Sequence, residues 1–223
     1  EGGHYLAARD QARDVADRYQ YNYGEAHPHT MAALRLLSVT ERRAGNHDRA
    51  LELSGRALNL FRTRYGDKYP LTVSTLVAHA IDVRQSGDLE KALLLGQQGY
   101  EGFEALLGHD HPHTVAGRVN QAICLRLSGQ VEAAHGIDTQ ARQRLVETVG
   151  EDHPNALACS SNLAVDLYEL GEVQASVDLA RRSLEQGRAR FGTDHDHPVV
   201  GPVETTPPQG ASDPVAGVGP VVG

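Results

Sequence analysis

The chain has no run of apolar residues long enough to cross a bilayer as a helix, which excludes a helical membrane span. No basic-plus-hydrophobic leader opens the sequence as given. Lysine is nearly absent: Lys68 and Lys91 are the two in the chain, and neither closes a Gly-x-x-x-x-Gly-Lys-Ser/Thr phosphate loop. There is no Gly-x-Ser-x-Gly elbow, and carboxylates pair up only as helix-surface charges, so no catalytic residue is expected. No stretch alternates apolar and polar residues with period two, so no strand is expected. Cysteine is limited to Cys124 and Cys159, too few for a disulfide framework and suited to a reducing cytoplasm. The net charge of −8 argues against generic attraction to nucleic acid. The excess of arginine over lysine reads first as a GC-rich coding bias.

What the chain does have is a period of 42 residues, held without drift. Gly24, Gly66, Gly108, Gly150 and Gly192 form one series. Gly3, Gly45, Gly87, Gly129 and Gly171 form a second, offset by 21, and Pro28, Pro70, Pro112 and Pro154 form a third. A fixed period of this length means stacked copies of one supersecondary unit. Each unit holds two segments with helical apolar spacing. The first starts beside the proline, which suits a first helical turn, and ends at a glycine, which suits a helix C-terminus. The second runs from about His47 to Tyr65, Leu89 to Leu107, Val131 to Val149 and Val173 to Phe191, and also stops at a glycine. Small residues at fixed places (Ser38, Ala80, Ala122 and Ala164; Ala50, Ala92, Ala134 and Ser176) let helices approach closely.

The stretch Asn162-Leu163-Ala164-Val165-Asp166-Leu167-Tyr168-Glu169-Leu170-Gly171 resembles the first-helix pattern of tetratricopeptide repeats. The linker Leu107-Gly108-His109-Asp110-His111-Pro112-His113-Thr114 resembles the 42-residue variant known from kinesin light chains. Gly150-Glu151-Asp152-His153-Pro154-Asn155-Ala156-Leu157-Ala158-Cys159 is similar to actinobacterial FxSxx-COOH system repeat proteins. The resemblance implies an all-α, right-handed superhelical solenoid of antiparallel helix pairs over residues 1–198. It implies a half repeat over 1–24, then four units, then a flexible Gly/Pro-rich tail over 199–223. The segment from Tyr5 to Tyr23 aligns with second helices and lacks a first helix, so the chain is expected to be part of something longer. Leu6, Val15 and Tyr19 should then lie open and allow self-association.

Two departures stand out. Arg118 and Gln121 occupy packed places, and Gly136 interrupts a second helix, so the third unit is expected to be the weakest. Histidines gather in the linkers, at His27 and His29, at His109, His111 and His113, and at His195 and His197. Their recurrence once per unit reads as helix capping rather than metal ligation. Aligned on the repeat, the two cysteines lie seven places apart in depth, about 10 Å along a helix axis. That is too far for an undistorted disulfide.

The resemblance places the first helices on the concave side. Three residues before the interhelical glycine stand Arg42, Arg84, Arg126 and Tyr168. Arg35 lies ten before it, Asn120 and Asn162 nine, and Arg43 two. An unbroken β-branched row, Val39, Ile81, Ile123 and Val165, lies between. Guanidinium forks suit carboxylates or phosphates, and the asparagines could bond an extended peptide backbone. The competing reading pairs the arginines with Glu41, Asp82, Asp166 and Glu169, and packs the β-branched row between first helices. The function expected is a non-catalytic module that binds an acidic peptide or protein, with no cofactor, metal, nucleic acid or membrane. The bacterial resemblance adds a sensor or oligomerisation module of a signalling NTPase, or a scaffold delivering a precursor peptide. Replacing Arg84 and Arg126 is expected to weaken binding and leave folding intact.

Overall fold

The computed structural model describes residues 3–191, and the expectations for His195, His197 and the 199–223 tail lie outside them. Among the described residues there are nine helices and no strand. They are α1 (Gly3–Tyr23), α2 (Pro28–Arg43), α3 (His47–Tyr65), α4 (Pro70–Gln85), α5 (Leu89–Leu107), α6 (Pro112–Leu127), α7 (Val131–Val149), α8 (Pro154–Glu169) and α9 (Val173–Phe191). The fold is an all-α helical repeat solenoid, with α2, α4, α6 and α8 as first helices.

Local chemistry explains the boundaries. Each first helix begins at a proline, whose missing N–H would have found no partner there. From Gly24 to Gly171 the glycines of both series take positive φ, as at Gly45, where φ is 85°. That turn lets the N–H of Gly45 bond Arg42 and the N–H of Asn46 bond Glu41, closing carbonyls that α2 leaves open. His27, His111 and His153 cap the next helix. Each Nδ1 accepts the backbone N–H two residues on, at 3.3, 3.2 and 3.2 Å. Tyr69 takes that place before α4 and makes no such bond. Thr30 and Thr114 add a latch, each donating its hydroxyl to the carbonyl of Gly24 or Gly108.

The helices form two compact units, one reaching Asp88 and the other starting at Leu89. In the first, Ala12 and Ala16 of α1 pack with Ala33, Leu34 and Leu37 of α2 and Leu53 and Ala57 of α3. In the second, Val115, Ala116 and Val119 of α6 pack with Ala141 and Leu145 of α7 and Ala156, Ala158 and Cys159 of α8. Leu163 and Ala164 then meet Leu179 of α9.

The departures from the repeat are accommodated. Arg118 lies over the Tyr100 ring, 5.0 Å from its centroid, and donates to Gln121 at 3.2 Å. Gln121 donates to Gln97. One repeat on, Arg142 donates to Ser160 at 2.8 Å. Leu58 and Leu76 hold the corresponding columns in the first unit, so a polar pair replaces an apolar one. On α1, Leu6 and Val15 are exposed as expected, whereas Tyr19 is half-buried and stacks on His29. Cys124 and Cys159 are both buried, and no disulfide joins them.

Candidate functional site

The eight residues expected to form a binding face divide by burial. In the first unit, Arg42 is buried between α2 and α4. Its Nη1 donates to Asp82 Oδ1 at 2.8 Å and to the carbonyl of Ala78 at 3.4 Å. In the second unit Arg126 repeats the arrangement 84 residues on, donating to Asp166 Oδ1 at 2.7 Å and to the carbonyl of Asn162 at 3.2 Å. The arginine three places before one interhelical glycine therefore clamps the aspartate five places before the next. Arg84 is buried too, as are Asn120 and Asn162.

These positions correct one expectation. Arg84 and Arg126 do not stand clear of the fold, so replacing them is expected to cost stability. Arg126 carries the charge that holds α6 to α8. Of the β-branched residues, Ile81 in the first unit and Ile123 in the second are buried, while Val39 and Val165 stay partly exposed. Glu41 is not a partner of the ladder. It is buried, accepts from Arg13 of α1 at 2.7 Å and from Asn46 at 2.6 Å, and its carboxyl is held below the ordinary range. Burial pushes it up most strongly, but the bonds from Arg13 and Asn46 together outweigh that.

Arg43 at the end of α2 is exposed, and Arg35 is half-buried. Leu36 on α2 and Leu127 on α6, with Tyr168 on α8, are 51%, 56% and 61% exposed. Leu36 and Arg43 lie seven residues apart, so they share one stripe of α2, about 10 Å apart along its axis. The first unit thus offers a cation beside an aliphatic side chain, and the second offers aliphatic and aromatic surface.

Sequence reasoning missed Asp138 of α7. It is fully buried, and its Oδ2 lies 4.0 Å from Arg126 Nη1. The equivalent residues are Ser54, Gly96 and Ala180, so an acid in a column of small neutral residues was the available signal. Burial first, then the carboxyl of Asp166 beside it, push Asp138 up to about 9, against the pull of Arg126. Nearby, burial pushes the Cys159 thiol up, and Asp138 adds to this, so Cys159 is an inert packed thiol. No group of three or more His, Cys, Asp or Glu suited to a metal occurs among the described residues. None of the described helices is long and apolar enough to cross a membrane.

Comparison with known proteins places this geometry. Tetratricopeptide repeat models match residues 30–105 and 156–198, together just over half of the chain. No curated protein matches. Among solved structures, the kinesin light chain TPR-like repeats of Podosopora anserina are similar, both as the parent sequence and as a point variant of it. The variant has TM-score 0.65 at 20% identity, covering 84% of this chain and 89% of that one. The parent has TM-score 0.63 at 20% identity, covering 85% and 90%. BtubC (BKLC) of P. vanneervenii has TM-score 0.66 at 18% identity, covering 88% and 78%. The helix pairs, the glycine turns and the matched models agree: the chain belongs to the tetratricopeptide repeat family, whose repeats are in general protein-interaction modules.

Proposed function

We propose that the chain is a non-catalytic binding module that takes an acidic peptide or protein segment on the face of its first helices. The observation that carries this reading is the exposure of Leu36, Leu127 and Tyr168 on first helices, with the exposed Arg43 on the Leu36 stripe. Large apolar side chains left open on a rigid scaffold are what a partner's side chains cover. Arg43 and the half-buried Arg35 place positive charge in the first unit that attracts a carboxylate. Arg42 and Arg126 act one layer down, fixing the spacing of the helices that present these groups. Asn120, Asn162 and Arg84 are buried at the same depth. A cytoplasmic address is part of this reading, as is a division into a half repeat and four whole units.

The test uses two labelled peptides of equal length, one alternating Glu with Leu and one alternating Lys with Leu, followed by fluorescence anisotropy. The acidic peptide should bind more tightly, and its affinity should fall with added salt, since exposed charges are screened over about 8 Å at physiological ionic strength. Arg43→Glu should weaken it by up to about fivefold, as an exposed pair is worth up to about 1 kcal/mol. Tyr168→Ala should weaken both peptides. Equal affinity for both peptides, or indifference to Arg43→Glu, would reject an acidic partner.

A further inference from the structure

In the core of the second unit, both carboxyl oxygens of Asp138 and Oδ2 of Asp166 are buried with no hydrogen-bond donor among the described residues. Both side chains are fully buried. The guanidinium of Arg126 faces both, 2.7 Å from Asp166 Oδ1 and 4.0 Å from Asp138 Oδ2. Two other titratable groups face this cluster. Cys159 of α8 donates its thiol to the carbonyl of Asp138 at 3.5 Å, and Arg142 of α7 is turned to Ser160. The interior therefore holds two acids for one close cation. Two ionised carboxylates there would repel in a medium that screens them poorly, and three of their four oxygens would lack a donor. The repeat itself does not require the second acid. The Arg42–Asp82 clamp of the first unit has Ser54 at the place of Asp138.

We propose that Asp138 and Asp166 hold one proton between them at neutral pH, as a carboxyl–carboxylate hydrogen bond that ties α7 to α8 beside Arg126. The proton satisfies two of the orphaned oxygens at once and leaves one negative charge for one positive charge. Protonated Asp138 is the donor, because Asp166 has the shorter contact with the guanidinium. The upward displacement of Asp138 to about 9 from 3.8 agrees with this placement.

The consequence is a built-in pH response in the second unit. In the unfolded chain Asp138 ionises near pH 4, whereas in the folded unit it keeps its proton to about pH 9. Between these limits, opening the unit releases a proton, so its stability falls as pH rises and levels off above about 9. The ratio of closed to open unit drops by up to tenfold per pH unit from this pair alone. Acidification tightens the α7–α8 contact and alkalinity loosens it, while the corresponding site of the first unit has no such pair.

Infrared spectroscopy of aspartate-labelled protein reads the proton directly. The carbonyl stretch of a protonated aspartic acid should be present at neutral pH and absent from Asp138→Asn. Asparagine supplies a fixed donor to Asp166, so native-state hydrogen exchange should show α7 and α8 more protected in Asp138→Asn than in the parent. That advantage should widen by up to tenfold per unit from about pH 5 to about pH 8. Absence of a protonated carboxyl in the parent at neutral pH overturns the proposal, even if Asp138→Asn fails to fold. So does a band that survives in Asp138→Asn, or a stability difference that does not change with pH.

Discussion

The arginine at three places before the interhelical glycine shows how one side chain can be read two ways. Its column was plain in the sequence, and so were Asp82 and Asp166 as rival partners. Which reading holds depends on whether the next first helix approaches closely enough to bury the guanidinium, and pattern alone does not give that distance. At Arg42 and Arg126 it does. Removing one partner of a buried ion pair leaves an uncompensated charge, so Arg42→Ala should cost about 3–5 kcal/mol in chemical denaturation. Replacing Arg42 with Met and Asp82 with Leu together should cost far less, because no charge is then stranded. The exposed Arg43→Ala should stay within about 0.5 kcal/mol. Equal losses for Arg42→Ala and Arg43→Ala would show that the buried pair does not bear on stability. Asp138 was harder to see, because one acid on a second helix looks like ordinary surface charge until its column is compared across repeats.

At the scale of helices the sequence was most legible, since proline, glycine and histidine each act within a few residues of their own position. The helix starts at Pro28, Pro70, Pro112 and Pro154, the glycine turns and the histidine caps all follow from local chemistry. The caps bring their own pH dependence. An imidazole that accepts an N–H must be neutral at that nitrogen. His27 is held below the ordinary histidine range by burial first, then by His29 and Arg64. His153 is lowered by burial and by Arg190, which outweigh the opposing Asp152. Their contribution is therefore complete above about pH 6.5 and is lost as pH falls through the lowered folded values. Amide exchange at the starts of α2 and α8 should accelerate on acidification below about pH 6.5, beyond the intrinsic rate. His27→Asn and His153→Asn should keep the caps and remove this response, since asparagine caps without titrating. An unchanged response in the double variant would assign the acid sensitivity to other groups. Arg118 and Gln121 mark the limit of legibility at this scale. They read as damage to the third unit, yet Tyr100 and Gln97 on the preceding helix compensate them.

Across the whole molecule, each unit has its own core, so stability should be a sum of local contributions rather than one cooperative total. The open face of α1 follows from the same logic. Ala8 is exposed, although its counterparts Ala50, Ala92 and Ala134 are buried, and Leu6 and Val15 are exposed on the same helix. Such a face is open to a second copy or to further chain ahead of α1, and sedimentation separates the two. Self-association would make sedimentation depend on concentration in the parent and not in Val15→Glu; a parent that stays monomeric at every concentration would exclude the second copy. The central claim concerns the other surface, the first-helix face. Titrating isotopically labelled protein with the Glu/Leu peptide and following backbone amide shifts tests it most directly. The account predicts shifts along α2, α4, α6 and α8, strongest near Leu36, Arg43, Leu127 and Tyr168. Shifts confined to the second helices, for instance around the exposed Leu94 of α5, would contradict it.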